Sequence, residues 1–191
     1  MVNSYQPASE TLNSGSRSIY WHDLIPDLPE NYGPFLPVEG WYDAITALAK
    51  KMGVGILPHW EAENGVEEFK EFFAGIYPDW ENQRLYLKRV DTTSHLFLLT
   101  LIHEVIHTLI YRSTCDEPNC MSADEDEAML GVELLFAATL NMDPKKTILG
   151  QPIFRDVSDN LDGLKEVVDY YLDEASKYDY LSLEGLIFNC P

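Results

Sequence analysis

Apolar positions fall into a few separate patterns along the chain. Trp41, Ile45, Leu48 and Met52 recur at helical spacing and Gly53 follows them, which predicts an amphipathic helix closed by a glycine cap. Val54–Trp60, VGILPHW, reads as a short strand, and Glu67–Phe73 as a brief helix with Phe69, Phe72 and Phe73 on one side. In IYPDWENQRLYLKRV a polar turn at Asp79–Asn82 separates two strand-like runs. The second alternates Leu85 and Leu87 with Arg84, Tyr86 and Lys88, the pattern of a half-exposed antiparallel strand.

Asp91–Ser94 supplies N-cap chemistry for a long apolar helix that runs to about Arg112. A polar loop, STCDEPNC, leads to a second helix. Ser122 and Glu125 form a capping box there, with Asp124 and Asp126 in the first turn, where the helix dipole favours acids. From Ala128 onward this helix is apolar nearly all round, so it is expected to be buried; it stops before Asp143-Pro144. A last amphipathic helix carries Leu161, Leu164, Val168, Tyr171, Leu172 and Ala175 on one face. Ahead of the first helix lies a proline-rich surface loop, Ile25–Pro37. Residues 1–19 are polar and Ser/Asn-rich and read as a disordered tail, leaving 20–191 as one domain with no internal repeat. Helices and strands in this order make the class α+β.

Composition narrows the functional classes. With 13 basic and 32 acidic residues the formal net charge is −19, which argues against direct binding of nucleic acid or an anionic membrane through a basic patch. The run Leu96–Tyr111 is too short for a membrane span and carries titratable groups in its middle. No secretory signal is recognisable, and the three cysteines, Cys115, Cys120 and Cys190, are an odd number without disulfide-framework spacing, so they read as plain thiols. The expectation is a soluble, cytoplasmic protein.

The chemistry sits inside that greasy run. In LTLIHEVIHTLIYR, His103 and His107 are one helical turn apart and project from one face, where two neutral imidazoles can hold one Zn2+ ion. Glu104 lies beside that face, placed to take a proton from a metal-activated water; this is the H-E-x-x-H pattern of zinc metallopeptidases. Two histidines and a glutamate are hard to bury unpaired in an apolar helix, so a core role alone does not explain them. A third protein ligand is needed. Glu127, in the first turns of the next helix and followed by the small Ala128, is the choice, with Asp124, Glu125 and Asp126 as competitors. Glu133 lies on another face from Glu127 and reads as a group that supports a ligand from behind, or as a buried hydrogen-bond acceptor, rather than as a ligand itself.

The order of these stretches resembles the ImmA/IrrE-type zinc metallopeptidases of bacteria and their mobile elements. Those proteins place a Gly-x-(aromatic)…Arg-Ile-x-(Leu/Val) hairpin just before an Ala-H-E-x-x-H helix, and a Glu-Ala-x-x-(Phe)-Ala-x-x-Leu-Leu helix after it. Here GIYPDWENQRLYLKRV, LLTLIHEVIHTLI and EDEAMLGVELLFAATL carry the likeness, over Trp41–Met142, about half of the chain. Ile102 stands where alanine is usual, Gly131 and Val132 replace a Phe-Ala, and no helix-turn-helix region is recognisable.

The resemblance implies a zincin-like, gluzincin-type fold, with a small, mostly antiparallel sheet packed on a central H-E-x-x-H helix and further helices. It implies His103, His107 and Glu127 as zinc ligands and Glu104 as general base. The RLYLKR strand, as a sheet edge, would hold a peptide as an added strand. The implied substrate is a protein, a basic DNA-binding repressor or similar regulator whose charge suits an acidic partner. A non-catalytic acidic binding protein on the same scaffold, an anti-repressor or DNA mimic, is the alternative.

Overall fold

The computed structural model describes residues 18–178 apart from 29, 31–32, 69–74, 115–122, 152–153 and 155. The expected tail up to residue 17, the Phe69–Phe73 stretch, Ser122 and the three cysteines lie outside the described residues. The elements run α1 (Trp21–Leu24), α2 (Trp41–Lys51), β1 (Gly55–Pro58), β2 (Ile76–Asp79), β3 (Arg84–Leu87), α3 (His95–Thr114), α4 (Ala123–Thr139), α5 (Pro144–Gly150) and α6 (Leu161–Lys177). Among the described residues, no helix is long and apolar enough to cross a membrane.

Local chemistry sets most of the boundaries. Helix α2 ends in a Schellman motif: Gly53, at φ 89°, donates to Lys50 O at 3.1 Å and Val54 to Ala49 O at 2.8 Å, a left-handed step that favours glycine. The turn before α3 is tied by Asp91 Oδ1, which accepts from Thr93 N and Ser94 N, both at 3.1 Å; Ser94 Oγ then caps Phe97 N at 3.2 Å. Asp143 caps α5 through Lys145 N at 2.9 Å, with Pro144 in the first turn. The apolar pattern of 144–150 is too short to announce this helix, whereas its Asp-Pro start reads as a stop. Asn160 caps α6 through Gly163 N at 2.9 Å.

The sheet differs from the expected one. Its order is β1-β3-β2; β2 and β3 form the expected antiparallel hairpin, but β1 pairs with β3 in parallel, Gly55 opposite Arg84 and Pro58 opposite Leu87. The sheet is mixed. Strand β3, the RLYLKR stretch, is therefore central rather than an edge, and both its sides are taken by neighbouring strands. No peptide can add there. Nor is it half-exposed: Leu85 and Leu87 enter the main core, while Tyr86, on the opposite face, packs with Tyr77, Ala62 and Val66. The segment after β1 covers the face that the alternation had left to solvent.

The main core lies between the sheet and the helices. Phe97, Leu98, Leu101, Ile102, Val105, Ile106 and Ile110 bury α3, and Ala128–Ala137 bury α4 nearly all round, as its sequence suggested. Helix α4 packs against α3, α5 and α6. It comes close to α6 at Gly131, where an added Cβ would collide with the Tyr171 carbonyl and lie 2.9 Å from the Ala175 methyl. Alanine gains about 1 kcal/mol over glycine in helix propensity, and the backbone collision outweighs that gain. Gly131→Ala is expected to destabilise the fold by about 1–3 kcal/mol, read as a lower denaturation midpoint; an unchanged or raised midpoint contradicts the tight crossing. The last residue of the expected tail, Ile19, is buried in the core, and Trp21 Nε1 donates to Met142 O at 2.6 Å. Helix α1 is thereby fixed to the turn between α4 and α5.

Candidate metal centre

Helix α3 presents His103 and His107 one turn apart, as their spacing requires. Their ring centroids are 4.5 Å apart and the planes cross at 89°, edge to face. One acid from α4 closes the group. Asp126 Oδ1 is 2.9 Å from His107 Nε2 and 3.8 Å from His103 Nε2. One ligand atom from each of these three residues lies within 4.8 Å of the other two, an arrangement able to hold a metal ion. The Asp126 side chain is half exposed, so this group reaches solvent on that side.

The glutamate chosen from sequence points elsewhere. Glu127 Oε1 accepts a hydrogen bond from Tyr171 OH of α6 at 3.4 Å, whereas Asp126, one of its competitors, stands with the imidazoles. The reason is helical phase. Glu127 precedes Gly131 by one turn, and Gly131 marks the face that crosses α6, so Glu127 shares that face. Asp126 and Glu133, two turns apart, share the face toward α3. Gly131, the single glycine of that helix, was the available signal. Burial, then the nearby Glu127 charge, pushes the Tyr171 hydroxyl up to about 12.

Glu133 occupies the buried acceptor position expected of it. Only 3% exposed, it sets Oε1 2.6 Å from His103 Nδ1 and accepts from Gln151 Nε2 at 2.9 Å on Oε2. Gln151 had no signal in the sequence, because the turn after α5 was itself unrecognised. Burial lowers the His103 pKa, but the Glu133 charge and hydrogen bond, with Glu104 and Asp126 behind them, outweigh it and raise the group to about 9. The hydrogen bond from His107 holds the Asp126 carboxyl below its ordinary range against partial burial.

Glu104 is 3% exposed, and its Oε2 has no hydrogen-bond partner among the described residues. Burial raises its pKa; the neighbouring His107 and His103 oppose that rise, and Glu133 and Asp126 add to it. An unpartnered buried carboxyl oxygen costs folding free energy unless a water, an ion or a ligand meets it. Two imidazole nitrogens and one carboxylate, with this free carboxyl alongside, fit a divalent transition metal in their donor chemistry. By contrast, buried Thr108 is satisfied by its bond to Glu104 O at 2.8 Å.

The other histidines stay apart from this group. His95, on α3, stacks on Trp41 with centroids 5.3 Å apart, and His59 meets Trp60 edge to face. Comparison with protein-family models, with curated proteins and with solved structures finds no match to this chain.

Proposed function

We propose that the chain is a zinc-dependent metallopeptidase of zincin-like type, related to the ImmA/IrrE-type enzymes. The observation that carries the reading is Glu104: a buried carboxyl with one oxygen unpartnered among the described residues, on the same helix as two imidazoles that converge on Asp126. His103 and His107 supply nitrogen ligands and Asp126 supplies oxygen, taking the role that the sequence had given to Glu127. A zinc ion held there supplies Lewis acidity toward water and toward the scissile carbonyl.

Glu104 does the proton work. Its free Oε2 accepts the proton of the attacking water and then delivers it to the leaving amine. Burial that raises its pKa suits both halves of that exchange, since the carboxyl must give the proton back. Asp126 is half exposed, so a substrate would reach the group from its side. The substrate class is a protein with a basic surface, such as a DNA-binding regulator, because the net charge of −19 favours such a partner in encounter.

The ligand set separates two adjacent acids. Zinc content by metal analysis is expected to be near one ion per chain in the parent and in Glu127→Gln. It should fall to background in His103→Ala and His107→Ala, and to a small fraction in Asp126→Asn. Retained zinc in Asp126→Asn with loss in Glu127→Gln reverses the assignment. A parent protein that neither takes up zinc nor cleaves casein or a basic repressor overturns the proposed function.

A further inference from the structure

We propose that Glu133 and Gln151 are positioning residues of the metal centre, forming a relay from α5 through α4 that sets which nitrogen of His103 faces the ion. The relay rests on the metal reading above and adds two residues that are not ligands. An imidazole offers a metal one nitrogen only when the proton is kept on the other. Glu133 Oε1 stands 2.6 Å from His103 Nδ1, so a proton held on Nδ1 leaves Nε2 to face Asp126 beside His107 Nε2.

Gln151 completes the arrangement. Its Nε2–H donates to the second Glu133 oxygen at 2.9 Å, so both carboxylate oxygens are engaged and the group has no free direction in which to turn. Glu133 is 3% exposed, which leaves little room for bulk water to replace that donor. An amide in this place has a specific merit. It satisfies the carboxylate without neutralising it, whereas a lysine would compete with the imidazole for its charge. The three groups come from different elements: His103 from α3, Glu133 from α4 and Gln151 from the turn that ends α5. Since α5 packs on both α3 and α4, this short helix holds the far end of the chain of bonds.

The experiment uses the full chain with Zn2+ in competition with a chromogenic chelator, Co2+ as a spectroscopic probe, and the Nδ1–H proton resonance of the metal-free protein. Glu133→Ala is expected to weaken zinc binding about 10–100-fold, to alter the cobalt bands and to abolish the Nδ1–H resonance. Glu133→Gln restores most of the affinity, because its amide oxygen still accepts from Nδ1–H while Gln151 turns its own oxygen toward the new amide. Gln151→Leu, on a partly exposed residue that the core does not need, weakens zinc about 10-fold and shifts the same bands.

Unchanged zinc affinity and unchanged cobalt bands in Gln151→Leu and Glu133→Ala overturn the relay while leaving the metal reading intact. Loss of zinc in Glu133→Gln as complete as in His103→Ala also overturns it, since Glu133 would then hold the ion itself. A parent protein that takes no zinc overturns the metal reading, and the positioning role falls with it. The Nδ1–H resonance distinguishes that failure, because it reads the His103–Glu133 bond with no ion present.

Discussion

Replacing Glu104 by Gln is expected to leave zinc content unchanged and to lower the cleavage rate by roughly 10²–10⁴-fold, the usual contribution of a positioned general base. The amide keeps the volume of the side chain but cannot accept a proton from water. The measurement is kcat on a basic protein substrate, alongside metal analysis of the same sample. Loss of zinc together with activity would show that Glu104 helps hold the ion; a fully active variant would remove it from the mechanism. Stability supplies a second readout. The carboxyl is buried with one oxygen unpartnered among the described residues, so an apolar replacement of similar size, Glu104→Leu, is expected to raise metal-free stability by about 1–3 kcal/mol. A residue whose loss stabilises the fold while ending activity is kept for chemistry.

Zinc is the second large lever. A ligand that binds only the folded state adds about 2.7 kcal/mol of stability at a hundred times its dissociation constant. For a domain of this size that corresponds to a rise of roughly 5–10 °C in Tm, reversed by a chelator. His103→Ala should abolish the rise, and Glu127→Gln should leave it intact, since the Glu127 carboxylate is engaged with Tyr171 rather than with the imidazoles. An equal rise in parent and His103→Ala places the zinc somewhere else on the chain.

Much of the architecture was legible because local chemistry decides it. The glycine cap after α2, the Asp91–Ser94 cap before α3, the polar hairpin turn and the apolar girth of α4 all depend on residues close in sequence. What escaped depended on distant ones. The alternation in RLYLKR describes a strand with one wet face, yet Tyr86 is covered by a segment contributed from beyond β1, and a parallel neighbour turned the expected edge into the middle strand. Helix α5 is too short for periodicity to register. The shared face of His103 and His107, with Glu104 beside it, followed from spacing on one helix. Which acid of α4 stands beside the imidazoles depends on the rotation of α4 about its own axis, set where Gly131 meets α6, and a single step of 100° separates Asp126 from Glu127.

The bond from Trp21 Nε1 to Met142 O joins residues 121 positions apart. With Leu36 N on Asn141 O at 2.9 Å, it stitches the start of the described chain onto the turn that feeds α5. Contacts of such span form late in folding, after the entropy of closing the long loop has been met. Once formed they bind the first helix and the last three into one cooperative unit. Releasing α1 therefore breaks a bond to the turn that feeds α5.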